Sequence, residues 1–232
     1  GWLLLTLFSL VMFMFGTTLI LPLFNKLKPL EDGELKDEIL KYCQQEGYSI
    51  GRLFVMDASK RSSKANAFFA GLGKSKTIVL FDTLIEKLST REIMAVLAHE
   101  IGHYKKKHTL VGFIIYAIQS LIIFAVLGWA LQFPELSQAL GSEKQSFHLA
   151  ILAFFIIFSP LSMILDLFTN SYSRRNEYAA DQFAKVTYDA EPLKTGLIRI
   201  ATDSLANLSP HPLAVKIYAT HPTLLERLKA LN

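Results

Sequence analysis

Three stretches without a single charged side chain decide what this chain can fold into. Residues 1–25 carry none, residues 109–134 carry none, and a third run extends from Gln145 to Leu165 and past Asp166 to Phe168. A helix needs ~20 apolar residues to cross the hydrocarbon core of a bilayer, because each residue adds only about 1.5 Å of rise. All three runs reach that length, so the sequence predicts three membrane spans at 1–25, 109–134 and 147–170, with a short loop at 135–146. The mean hydropathy of +0.33 agrees, since a water-soluble globule of 232 residues must still cover itself with polar side chains. A secretory leader does not describe the first run, which lacks a basic stretch before it and a small-residue cleavage site after it.

Two polar regions remain, 26–108 and 171–232. The chain leaves through the second span and returns through the third, so both regions lie on one side and can share a site. They carry 15 and 8 lysines and arginines, whereas the loop between the last two spans carries only Lys144. Basic residues beside span ends stay in the cytoplasm, so the polar regions are expected to face it. The net charge of +4, with no basic stripe interleaved with aromatics, argues against a nucleic-acid partner. A single cysteine, Cys43, excludes an internal disulfide and a cysteine-based metal cluster, and reads as a small buried residue.

The first polar region reads as α+β. Leu35, Ile39, Leu40 and Cys43 recur at helical spacing within 32–45. Three β-like runs follow at 52–56, 66–70 and 77–81, the last two joined by a turn around Gly71, Gly73 and Lys74-Ser75-Lys76. Ser89-Thr90-Arg91-Glu92 has the form of a capping box, opening a helix that runs through Ile93, Val96 and Leu97 to His103.

That helix contains His99-Glu100-Ile101-Gly102-His103, an H-E-x-x-H pattern. The i, i+4 spacing puts both imidazoles on one face, where they can meet one Zn²⁺, with Glu100 beside them as general base. Catalytic zinc takes three protein ligands, and the second polar region offers the third. Glu177 and Asp181 lie one turn apart on a helix emerging from the third span, with small Ala179 and Ala180 between them permitting close approach of another helix. In this pattern Glu177 completes the ligand set, and Asp181 accepts the outer N–H of a ligating histidine. His108 and Lys105 to Lys107 read as a solvated helix end.

With these residues in view, the chain resembles the integral-membrane zinc endopeptidases of the CAAX prenyl protease type. The resemblance covers nearly the whole chain and includes Lys60-Arg61-Ser62-Ser63, Asn66-Ala67-Phe68-Phe69, the run from Ile78 to Leu84, and Thr220-His221-Pro222 through Leu228. It implies a mostly α membrane protein: three transmembrane helices with an α+β, gluzincin-like zinc-metalloprotease domain divided between the two polar regions. It implies one Zn²⁺ on His99, His103 and Glu177, with Glu100, His221 and Arg227 as catalytic groups. It implies an edge strand at Asn66, Ala67, Phe68 and Phe69 that receives an extended peptide; without the likeness, Phe68 and Phe69 read as core. His221-Pro222 also has a plainer reading as a helix N-terminus, followed by a solvated turn at Glu226-Arg227.

Family members are larger, and this chain resembles their C-terminal part. Further N-terminal spans of the full-length protein are therefore expected partners, together with the lipid bilayer and a peptide or protein substrate, possibly prenylated. The implied location is the endoplasmic reticulum membrane in a eukaryote or the inner membrane in a bacterium. The alternatives are a quality-control protease of the bacterial heat-shock membrane type, and a membrane scaffold that keeps a metal without catalysis.

Overall fold

The computed structural model describes residues 1–16, 21–60, 65–70 and 76–232. Residues 17–20 of the first apolar run, residues 61–64 and the turn residues 71–75 lie outside the described residues.

The first apolar run contains helix α1 (Trp2–Phe15) and the single turn α2 (Leu21–Phe24). Trp2 Nε1 donates to Ser120 Oγ at 3.1 Å, and Phe13 stacks on Phe113 with ring centroids 5.1 Å apart, which lays α1 along the second apolar run. Strand β1 (Leu27–Pro29) follows, then α3 (Glu34–Gln45), β2 (Arg52–Met56), β3 (Ala67–Ala70) and β4 (Thr77–Phe81). The sheet order is β1-β2-β4-β3, with β2 and β4 parallel and both outer pairs antiparallel. Sequence reading misses β1, because three residues ending in a proline carry no alternation; a proline is tolerated there because the strand is an edge. β3 forms the opposite edge, as the resemblance implies.

After α4 (Asp82–Lys87) comes α5 (Thr90–Lys105), started by the predicted capping box between Ser89 and Glu92. This helix is the axis of the polar body. Ile93, Met94, Leu97 and Ile101 are each at most 1% exposed and pack with Ile39 and Cys43 of α3 and Ile78 and Leu80 of β4. Cys43 is buried as expected, and its burial pushes the thiol pKa up to about 12.

Helix α6 (His108–Ala130) is the second apolar run, joined through the short turn α7 (Glu135–Gln138) to α8 (Phe147–Thr187). Among the described residues, α6 and α8 are the two helices long and apolar enough to cross a membrane. α8 is one 41-residue helix that carries the third apolar run and continues, unbroken, into the second polar region. Pro160 lies inside it and cannot donate to Ile156; the Ser159 hydroxyl donates to that Ile156 carbonyl instead, at 3.0 Å. α9 (Ala190–Asp203), α10 (Pro212–Tyr218) and α11 (Leu224–Leu231) complete the fold. His211 caps α10 by accepting from the Leu213 amide, a structural task.

Candidate metal centre

Two helices from the two polar regions cross at the site. Gly102 on α5 faces Ala180 on α8 so closely that a Cβ placed on the glycine would sit 3.2 Å from the Ala180 Cα and 3.1 Å from the Phe183 Cβ. This crossing of small residues sets Glu177 opposite the two histidines. His99 Nε2 and His103 Nε2 are 3.1 Å apart, Glu177 Oε1 is 3.3 Å from His103 Nε2, and Glu177 Oε2 is 3.6 Å from His99 Nε2. A tetrahedral zinc with bonds of about 2.1 Å requires ligand atoms about 3.4 Å apart. The three residues therefore fit one ion, and they form a group able to hold a metal. A second observation agrees: Glu177 is 5% exposed, and its Oε2 is buried with no hydrogen-bond partner among the described residues. A carboxylate oxygen left in that state calls for a cation.

The surroundings hold these groups in place. His99 Nδ1 lies 2.8 Å from Asp181 Oδ1, the contact expected of an acceptor that fixes the ring. Asp181 in turn accepts two hydrogen bonds from Arg227, from Nε at 2.8 Å and Nη2 at 2.6 Å. Arg227 Nη1 is 3.5 Å from Glu177 Oε2. Burial opposes the Arg227 charge, but its hydrogen bonds and charge attraction to Asp181 outweigh this and hold its pKa above the ordinary value. Arg227 arrives on α11, whose start is a capping box in which Glu226 pairs with Thr223. The plainer reading of His221-Pro222 as the helix start is therefore displaced by two residues, and Arg227 is not a solvated turn. Thr-x-x-Glu at 223–226 was the available signal. His221 Nδ1 is 2.9 Å from Thr220 Oγ1, while its Nε2 faces Glu177 Oε1 at 3.4 Å.

Glu100 lines a cavity of about 470 Å³ together with His99, His103, Glu177, His221 and Arg227. Burial raises its carboxyl pKa above the usual range; the charges of His99 and His103 oppose the shift, and Glu177 reinforces it. Asn66 and Ala67, at the start of the edge strand, line the same cavity. Phe68 and Phe69 do not: Phe68 packs against Val79 and Met56, and Phe69 on the opposite face against the main core. The core reading of those two side chains holds beside the edge-strand placement of their backbone. His108 corrects the sequence reading. It is half-buried, and its Nδ1 lies 3.1 Å from His103 Nδ1 instead of projecting from a solvated helix end.

A two-helix crossing that presents H-E-x-x-H to a distant glutamate, beside two helices long and apolar enough to cross a membrane, defines a metallopeptidase architecture, and the chain belongs to Peptidase family M48, which matches residues 29–232. It is 36% identical over 234 residues to the CAAX prenyl protease 1 homolog of Arabidopsis thaliana, covering 100% of this chain and 55% of that protein. It is 38% identical over 229 residues to CAAX prenyl protease 1 of Saccharomyces cerevisiae, covering 92% of this chain and 51% of that protein. The crystal structure of S. mikatae Ste24p superposes with a TM-score of 0.91 at 34% identity, covering 100% of this chain and 57% of that one. The chain thus spans about half the length of the relatives it matches.

Proposed function

We propose that this chain forms the catalytic part of a zinc-dependent membrane endopeptidase of the CAAX prenyl protease kind, cutting near the C-termini of prenylated proteins. The observation that carries the reading is the meeting of His99, His103 and Glu177 at ligand spacing, with Glu100 and the edge strand on the same cavity. Bound to these three residues, zinc supplies Lewis acidity toward the scissile carbonyl and the attacking water.

Glu100 takes the proton of that water and returns it to the leaving amine. Thr220 Oγ1 lies 2.9 Å from His221 Nδ1; in this reading the hydroxyl donates, the ring hydrogen sits on Nε2, and His221 donates to the oxyanion formed at the carbonyl. Arg227 holds Asp181 against His99 and adds positive charge on the same side. The outer side of β3, which is unpaired among the described residues, offers main-chain groups along Asn66 to Phe69 to an extended substrate, which would set its direction past Glu100. The run 1–25 forms a first span against α6, and both polar regions face the cytoplasm, at the endoplasmic reticulum if the source is eukaryotic and at the inner membrane if bacterial.

The full-length protein in liposomes should cleave a farnesylated C-terminal peptide, lose that activity to a zinc chelator and regain it with one equivalent of zinc. Cleavage indifferent to chelation overturns the reading. Equal cleavage of the farnesyl-free peptide would instead support a general membrane-protein protease. Cysteines introduced at Lys60 and Ser209 should label from one membrane side and one at Glu143 from the other, since the natural Cys43 is buried. Labelling of Lys60 and Ser209 from opposite sides ends the shared-site assignment.

A further inference from the structure

We propose that His108 is a positioning residue for the metal centre: its Nδ1 accepts the Nδ1 hydrogen of His103 and so fixes the tautomer that leaves His103 Nε2 free to ligate. The inference rests on the metal-site reading above. A neutral imidazole carries one hydrogen and one lone pair on its two ring nitrogens. A histidine that ligates through Nε2 must keep its hydrogen on Nδ1, and a buried N–H requires an acceptor. For His99 the acceptor is Asp181, at 2.8 Å. Among the described residues, no carboxylate lies against His103 Nδ1; Glu177 faces its Nε2. Its open flank faces a cavity of about 350 Å³ whose other lining residues, His108, Tyr116, Gln119, Tyr172 and Asn176 among them, include no acidic group. The polar atom that meets His103 Nδ1 is His108 Nδ1, at 3.1 Å.

The backbone is shaped to make this contact. Five residues along one straight helix turn through about 140° relative to the starting face, which would carry His108 away from His103. α5 instead ends at Lys105, and Lys107 adopts the left-handed region at φ 58° and ψ 26°, an uncommon conformation for a residue with a side chain. The break re-aims the chain so that the first residue of α6 swings back over the end of α5. The His103 and His108 rings meet edge to face with centroids 5.0 Å apart. For His108 Nδ1 to accept, its own hydrogen sits on Nε2. The opposite assignment, with His108 donating, would put the His103 hydrogen on Nε2 and point it at Glu177 Oε1, which closes that nitrogen to a metal.

Two substitutions separate shape from hydrogen bonding. His108→Phe keeps a ring of similar size and loses the acceptor; His108→Gln loses the ring and keeps an acceptor in its amide oxygen. In the full-length protein, zinc measured by competition with a chromogenic chelator should bind 10- to 100-fold more weakly to the Phe variant. The Gln variant should stay within about threefold of wild type, and the visible spectrum of the cobalt-substituted protein should change only for Phe. Equal zinc affinity for Phe and wild type, or equal weakening in Phe and Gln, overturns the proposal. A wild-type protein that holds no zinc overturns the metal-site reading and this inference with it. Nitrogen-15 shifts of the zinc-loaded wild type need no variant: His103 Nδ1 should be protonated and His108 Nδ1 bare, and the reverse pattern refutes the assignment.

Discussion

The two halves of α8 follow opposite rules on one continuous backbone. In the first half Phe155, Ile156 and Ile157 point outward while Ala150, Ala153, Phe154 and Phe158 are buried, so apolar groups occupy both faces. In the second half the buried face carries Glu177 and Asp181 together with Ala180 and Ala184. A helix surrounded by lipid need not place polar groups outside, and has no use for charge within. A helix surrounded by water and protein can bury carboxylates, provided each is met by cations or hydrogen-bond donors, as Arg227, His99 and His103 meet them here. Burial of charge is therefore a mark of purpose in the second half, and exposure of large apolar groups is ordinary in the first.

The largest effects test the buried charges. Glu177→Ala should abolish stoichiometric zinc and activity together, whereas Glu100→Gln should keep zinc and lower turnover by about 10²- to 10⁴-fold, the usual worth of a general base. Metal analysis beside a peptide-cleavage assay distinguishes them, and full zinc in the Glu177 variant breaks the contrast.

Next come two residues exposed to nearly the same degree on the same helix, Ile157 at 66% and Val186 at 73%. Ile157→Arg should impair insertion by about 2.5–3.5 kcal/mol, read as the membrane-inserted fraction during translation. Between these in magnitude and Val186→Arg lies the helix crossing: Gly102→Ala should lower stability by about 1–3 kcal/mol through overpacking against Ala180 and Phe183, with weaker zinc retention because Glu177 is pushed from the histidines. Val186→Arg should change thermal stability by no more than about 0.5 kcal/mol. Similar outcomes for Ile157→Arg and Val186→Arg would erase the distinction between the two halves.

Much of this arrangement could be read without coordinates, for identifiable reasons. The capping box at Ser89, the H-E-x-x-H spacing and the length of the uncharged runs are local patterns, and local patterns survive into structure because helix geometry leaves them little freedom. The strands at 52–56 and 77–81 were visible as short apolar runs, but their parallel pairing was not, since partner choice depends on the chain between them. The His103–His108 contact stayed hidden because it depends on one left-handed residue, and Lys107 has nothing in its identity to announce that conformation. The Arg227–Asp181 pair was hidden for a different reason: it joins α11 to α8, and nothing in either segment specifies the other.

The unbroken course of α8 has a mechanical consequence. Seventeen residues separate Pro160, inside the apolar half, from Glu177, a reach of about 26 Å at helical rise. Over that arm a tilt of one degree at the proline displaces the carboxylate by about 0.4 Å, beyond the ~0.2 Å within which metal–ligand distances are normally held. In the proposed peptidase, with the apolar half of α8 held in a bilayer, the slope of this one rod would set how closely Glu177 approaches His99 and His103.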